Sequence, residues 1–120
     1  MDAVNENMIY LNWSRYYSQY GAEETFALMD MIEKWAAEDP NDVRIGYVIR
    51  WSAGLDGAFS EYYSGILARL YDLAPSEFAR VCLSNANDEQ EEQTIFMLAY
   101  HWNLSVEDVR IKLEAQIPEN

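Results

Sequence analysis

The feature that most constrains this chain is the spacing of its apolar residues, which recur every three or four positions in one segment after another. Such spacing places apolar side chains on one face of an α-helix. The last third of the chain shows the pattern most clearly, because residues that start and stop helices flank each segment there. We predict three consecutive helices at residues 76–85, 88–102 and 105–117.

The boundaries of these helices follow from local residue chemistry. Ser76 follows Ala74 and Pro75 and is predicted to be the N-cap of its helix. Ser105 and Asp108 form an S-x-x-D pattern that resembles a capping box, in which the serine side chain accepts a hydrogen bond from the backbone of the first turn. Pro118 cannot continue a helix and is expected to end the last one.

The first two thirds of the chain predict four more helices, at residues 5–20, 22–38, 43–53 and 58–73. Gly21 is expected to end the first helix and Pro40 to separate the second from the third. The helix at 43–53 is apolar nearly all round, so we expect it to be the most central. A single long helix kinked near Gly54 is the alternative for 43–73.

No segment shows the sustained alternation of apolar and polar residues that indicates a strand. The sequence therefore predicts a single all-α domain over residues 1–120, with six or seven amphipathic helices packed as antiparallel hairpins. An irregular helical bundle is the alternative arrangement. Residues predicted to be buried include Trp35, Ile49, Leu70, Leu98 and Leu113.

Two helix pairs look like copies of one unit. Each has a helix that ends in a tryptophan, Trp35 or Trp102, followed by a turn and a helix that opens with Asp-Val-Arg-Ile, at 42–45 or 108–111. The helix-pair pattern resembles HEAT-like α-helical arrays, in which stacked hairpins present extended binding surfaces. The alternative is coincidence, because any two helical hairpins share apolar spacing and a tetrapeptide can recur by chance.

The charge of the chain restricts its partners. Twenty-one acidic residues against eight basic ones give a net charge of −13. Nucleic acids and anionic membranes bind clustered Lys and Arg, so neither is expected as a partner. No apolar segment approaches the length of a membrane-spanning helix. A basic protein partner or self-association fits better, while solubility alone is the simpler explanation of the charge.

The start of the sequence and its cysteine content bear on location. Residues 1–6 are polar and carry two acids, unlike a secretory signal, so we expect a cytoplasmic protein. Cys82 is the single cysteine and has no internal disulfide partner. A removed export signal would leave no trace, so an exported protein stays the alternative.

No motif for chemistry stands out. His101 is the single histidine and no second ligand pattern accompanies it, so an ordinary helix residue is the better interpretation. Cys82 is expected to be a buried thiol. The acids at 88–92 lack the alternating ligands and glycine of a calcium loop. We therefore expect no enzyme activity, and no catalytic, cofactor-binding or metal residues.

Aromatic residues are the one excess, with four Trp and nine Tyr. Tyr and Trp are frequent at the energetic centres of protein interfaces. Several tyrosines fall beside the apolar stripes and are candidate partner-binding residues. These are Tyr10, Tyr17, Tyr47, Tyr62 and Tyr71. A tyrosine-rich edge of the core is the alternative.

Two functions suit these observations. The first is a non-enzymatic protein-interaction module with an acidic, aromatic-rich surface. The second is a small acidic inhibitor or immunity-type protein that blocks a nucleic-acid enzyme by carrying phosphate-like charge. An inhibitor of that kind needs its acids on one continuous face, and here they are spread along every helix. The spread favours the interaction module.

Overall fold

The described residues form six α-helices and contain no strand, so the all-α prediction is confirmed. The computed structural model describes residues 11–85 and 87–117, apart from the side chain of Asn85. The helices are α1 (Trp13–Glu38), α2 (Asp42–Arg50), α3 (Gly57–Leu73), α4 (Pro75–Arg80), α5 (Asp88–Trp102) and α6 (Val106–Glu114). A π-helical turn, Val81–Asn85, follows α4.

The first two predicted helices form one broken helix, α1. Gly21 leaves the helical conformation, with φ of 86° and ψ of 178°, and the helix resumes directly after it. This positive φ is open to glycine at low cost. Thr25 donates its hydroxyl to the Gly21 carbonyl at 2.8 Å and so satisfies an acceptor freed by the break. The predicted interruption at Gly21 is confirmed, whereas residues 5–10 lie outside the described part of the chain.

The helices α2 and α3 are separate, so the alternative of one long kinked helix is wrong. Asn41 caps α2 by accepting a hydrogen bond from the Arg44 backbone at 2.9 Å. Two glycines here have positive φ, Gly54 in the loop between α2 and α3 at 82° and Gly57 at the first position of α3 at 55°. These left-handed positions turn the chain sharply enough for α3 to return across α2.

Two predicted boundaries are corrected. Ser76 is not an N-cap, because it lies inside α4, which begins at Pro75. The fixed φ of proline suits the first helical position, and its missing N–H leaves no donor unpaired there. The α4 segment then changes to the π-helical turn at Val81. The last helix ends at Glu114 instead of residue 117, although Ser105 does cap it by accepting from the Asp108 backbone at 3.0 Å.

The centre of the fold is α3, not the segment at 43–53. Its buried residues run without a break from Tyr63 to Ala68, and it packs against α1 on one side and α5 on the other. The exposed side chains of α2 include Val43 and Arg50, so α2 is less enclosed than its apolar composition predicted. Tyr63 ties α3 to α2 by donating its hydroxyl to the Val48 carbonyl at 2.5 Å.

Four of the five residues predicted to be buried are in the core, namely Ile49, Leu70, Leu98 and Leu113. Trp35 is only half-buried. The Arg44 guanidinium lies 4.9 Å from the centroid of the Trp35 ring and also donates to the Trp35 carbonyl. A cation over the ring thus replaces the apolar cover that the sequence pattern predicted.

The repeated tetrapeptide does not occupy equivalent positions in the two hairpins. Asp42 is the first residue of α2, whereas Asp108 is the third residue of α6. As a result Val43 is 54% exposed and Val109 is fully buried. Counted from the helix starts, Ile45 and Val109 correspond, which is a shift of two residues. The two copies of Asp-Val-Arg-Ile are therefore out of register by two residues and do not support the predicted repeat.

Candidate functional site: an aromatic and acidic face

One side of α3 is buried against α2 and α4, and the opposite side carries Glu61, Tyr62 and Arg69, which are exposed. These positions recur at helical spacing, so they share one face. Residues of α1 and of α5 contact this side of α3, through the Asp30–Tyr62 and Glu61–Tyr100 hydrogen bonds. We call the resulting surface the outer face and define it by Tyr17, Asp30, Glu33, Glu61, Tyr62, Arg69, Phe96 and Tyr100.

Hydrogen bonds across the helices order the outer face. Tyr62 donates its hydroxyl to the Asp30 carboxylate on α1 at 2.5 Å, and Tyr100 on α5 donates to the Glu61 carboxylate at 2.7 Å. In both pairs a neutral phenol from one helix contacts a carboxylate on the next. The pairs hold the aromatic rings in place and leave the carboxylate charges at the surface.

A two-pronged ion pair adds to this order. Arg69 on α3 donates from Nε and Nη2 to the two carboxylate oxygens of Glu33 on α1, at 2.5 and 2.9 Å. The Arg69 side chain is 55% exposed, so solvent screens much of the attraction and the pair mainly fixes geometry. Arg69 is the one cation among the residues that define the outer face, and it is paired with an acid.

The titration of these groups reflects the same contacts. The hydrogen bond to Asp30 raises the pKa of Tyr62, and the hydrogen bond to Glu61 raises the pKa of Tyr100. The contact with Glu33 raises the pKa of Arg69. Both tyrosines therefore stay protonated donors at neutral pH, and the guanidinium stays charged.

Four aromatic rings of the outer face are open to solvent. Tyr62 is 40% exposed, Tyr17 is 48%, Tyr100 is 61% and Phe96 is 63%. Tyr17 packs edge-to-face against Phe59 with ring centroids 5.4 Å apart. Phe26 contacts both Phe59 and Tyr62, so these four rings pack in series. Phe96 lies one helical turn before Tyr100 on α5. Exposed aromatic rings from three helices, α1, α3 and α5, therefore lie on the outer face.

The predicted candidate tyrosines fall in different places. Tyr17 and Tyr62 belong to the outer face, and Tyr10 lies outside the described residues. Tyr47 is half-buried on α2, where its ring lies 5.5 Å from the ring of Trp51. It belongs to a separate aromatic cluster away from the outer face.

The interpretation of Tyr71 as a partner-binding residue is corrected by its burial. It is 5% exposed and lies between Phe78 and Trp102, with ring centroids 5.9 and 5.3 Å away. The Lys112 ammonium lies 5.5 Å from the centroid of the Tyr71 ring. Tyr71 is therefore part of the core between α3, α4 and α6, and its ring is not available to a partner.

Sequence reasoning missed Phe96 and Tyr100. Ile95, Leu98 and Ala99 form the apolar stripe of α5, and all three are buried. Phe96 and Tyr100 lie next to that stripe and point away from the core. An aromatic residue that falls outside the buried stripe of its own helix was the available signal.

Groups that carry chemistry are sparse. Within residues 11–85 and 87–117, no three His, Cys, Asp or Glu side chains come together as metal ligands. Burial raises the pKa of the Cys82 thiol to about 12, so the thiolate needed for nucleophilic attack is scarce at neutral pH. His101 is exposed on α5, with its ring edge near Gly65.

Comparison with protein-family models, with curated proteins and with solved structures finds no match for this sequence. In the part of the chain that the structure describes, no helix combines the length and apolar character needed to cross a membrane. The residues of the outer face and their geometry are therefore the basis for a functional proposal.

Proposed function

We propose that this protein is a non-enzymatic interaction module that binds a protein partner through the outer face. The observation that carries the proposal is the set of exposed aromatic rings on three adjacent helices, two of which are hydrogen-bonded to carboxylates of a neighbouring helix. Tyrosine and phenylalanine bury much area with few rotatable bonds, which is why aromatic residues dominate interface energetics.

The order of the outer face supports binding. Tyr62, Arg69 and Tyr100 are each fixed by a hydrogen bond to a carboxylate on a neighbouring helix. Side chains that are already ordered lose less conformational entropy on association than mobile ones. The proposed site is thus preorganised by contacts within the protein itself.

Charge indicates the kind of partner. The outer face carries three carboxylates, from Asp30, Glu33 and Glu61, against the single guanidinium of Arg69. The whole chain has a net charge of −13. Such a surface attracts a basic partner at long range and repels acidic ones, which raises the association rate and gives specificity.

The alternative inhibitor function has less support. Mimicry of a phosphate backbone requires rows of carboxylates that a nucleic-acid enzyme can reach, whereas Asp30, Glu33 and Glu61 are all engaged by a tyrosine or an arginine. Aromatic rings between them interrupt any such row. The HEAT-like arrangement expected from the sequence is likewise a proposal without support from the tetrapeptide, whose two copies differ in register.

Quantitative affinity capture from the source cells tests the proposal. The wild-type chain is compared with a Phe96→Ala, Tyr100→Ala double variant and with a control, Ile111→Ala. Ile111 is 56% exposed on α6, similar to Phe96 and Tyr100. We expect a partner that is retained by the wild type and the control but lost from the double variant, and that binds again as a purified protein. Equal retention by all three chains would contradict the proposal.

A further inference from the structure

Two neighbouring pockets open at the loop between α2 and α3, and Gly54 lines both. The first, which we call the aromatic pocket, has a volume of about 330 Å³. The second, which we call the acidic pocket, has a volume of about 280 Å³ and is lined by glutamates and one exposed aromatic ring. We call the two together the Gly54 groove. Its lining includes Trp13, Tyr17 and Phe59 in the first pocket and Glu89, Glu92 and Phe96 in the second.

The aromatic pocket is held rigidly. Trp13 is buried and donates its indole N–H to the Trp51 carbonyl at 2.5 Å, which fixes the start of α1 on the end of α2. Tyr17 and Phe59 meet edge-to-face beside it. A pocket with this lining suits an apolar side chain of moderate size, because ring surfaces and Leu55 outnumber its polar side chains, Ser14 and Asp56.

The acidic pocket has a different chemistry. Phe96 is 63% exposed, and Glu89 and Glu92 on the preceding turns of α5 line the same pocket. A guanidinium or ammonium group placed over the ring gains a cation–π contact and can pair with a carboxylate at the same time. The pocket therefore favours an Arg or Lys side chain.

Gly54 lies where a bound peptide would pass from one pocket to the other. Its backbone has φ of 82°, and beyond its chain neighbours no atom lies within 4 Å of the position that a Cβ would take. The space beside the Cα of Gly54, which lines both pockets, is therefore open apart from its two chain neighbours. An extended or helical segment that crosses Gly54 can place one side chain on each side of it.

We infer that the Gly54 groove binds a peptide segment of a partner protein in which an Arg or Lys lies within a few residues of a large apolar side chain. This inference rests on the proposed function and names the part of the partner that is recognised. A second copy of the chain fits poorly, because each copy has a net charge of −13 and would bring its own acids towards Glu89 and Glu92 of the other.

Selection of random peptides displayed on phage against the full chain tests the inference. We expect enriched peptides to carry an Arg or Lys close to Leu, Ile, Met or an aromatic residue. A synthetic peptide from this selection should then lose about tenfold in affinity with Phe96→Ala and with Tyr17→Ala, measured by fluorescence anisotropy. Glu92→Gln should weaken binding and reduce its dependence on salt.

Matched controls lie on α6. Ile111→Ala and Glu107→Gln change an exposed apolar residue and an exposed acid in the same way, and we expect both to leave peptide affinity unchanged. Circular dichroism checks that each variant is folded. Enriched peptides without the basic and apolar pair, or equal affinity for groove and control variants, would overturn the inference. Concentration-dependent dimerisation that Phe96→Ala abolishes would also overturn it, since the occupant would then be a second copy.

The two proposals fail in different ways. If a captured partner is lost on Tyr100→Ala but retained by Glu89→Gln and Glu92→Gln, which change residues of the groove that do not belong to the outer face, the outer face binds protein and the Gly54 groove does not. If selected peptides depend on the groove while no partner in the source cells depends on Phe96 or Tyr100, the groove binds peptides and the proposed function is wrong.

Discussion

Tyr100 on α5 donates its hydroxyl to the carboxylate of Glu61 on α3, at a distance of 2.7 Å, while the residue is 61% exposed. A second tyrosine, Tyr63, also donates its hydroxyl, but it does so from the core to the Val48 carbonyl. The two residues make the same kind of bond in opposite environments. Tyr100 therefore orders the surface, whereas Tyr63 stabilises the core.

Replacing each of these tyrosines by phenylalanine should therefore have different effects. Tyr63→Phe removes the donor to a buried carbonyl and should lower the free energy of unfolding by about 1–3 kcal/mol. Tyr100→Phe should leave the urea midpoint unchanged, because water replaces the lost partner at an exposed position. Equal shifts of the two midpoints in urea unfolding would contradict this description of the outer face.

A second pair of substitutions tests the register of the two hairpins. Val43→Ala removes methyl groups from a side chain that is 54% exposed, so the free energy of unfolding should change by less than about 0.5 kcal/mol. Val109→Ala empties part of the core and should be destabilising by about 2 kcal/mol. The two valines occupy the same place in Asp-Val-Arg-Ile. Similar effects in chemical denaturation would show that the tetrapeptides are structurally equivalent after all.

Alkaline pH should destabilise the protein through Cys82 and Tyr63. Burial raises the pKa of the Cys82 thiol from 9.0 to about 12 and raises the pKa of Tyr63 well above 10.0. Between pH 9 and about 12 the unfolded chain loses a thiol proton that the folded chain keeps. Unfolding then releases protons, so the stability that is fully present below pH 9 falls as the pH rises.

The Cys82→Ala variant isolates this contribution. We expect its free energy of unfolding to fall less steeply than that of the wild type between about pH 9 and pH 11, by up to about 1.4 kcal/mol per pH unit. Its lower stability at neutral pH does not affect the comparison, because only the slope is measured. Parallel slopes for the two proteins would show that the thiol ionises equally in both states.

The sequence was sufficient for the helices and for much of the core, for physical reasons that can be named. The predicted cap Ser105 acts on the first turn of α6, which is a local contact set by neighbours in the chain. Ile66 and Leu70 of α3 and Ile95 and Leu98 of α5 are buried as periodicity requires, whereas Leu73 at the end of α3 is exposed. Local chemistry and burial agree in these elements, so a pattern read along the chain predicts them.

Other features depend on contacts between distant segments. Trp35 is half-buried because Arg44 covers its ring, and Tyr71 is buried because Phe78 and Trp102 enclose it. Neither arrangement follows from spacing on one helix. The outer face is harder still to predict from the sequence, because it forms only when α1, α3 and α5 pack side by side. The aromatic excess pointed to binding, but Tyr17 and Tyr62 were the only described candidates that the fold brings together there.

Site-specific photo-crosslinking in the source cells tests the central proposal most directly. Phe96 or Ile111 is replaced by p-benzoylphenylalanine, which forms covalent bonds on irradiation with whatever protein lies against it. The two positions have similar exposure, 63% and 56%, so random collisions should label them equally. We expect a discrete crosslinked product from position 96 and none above background from position 111. Equal products from the two positions, or a product from position 111 alone, would contradict the proposal that the outer face binds a partner.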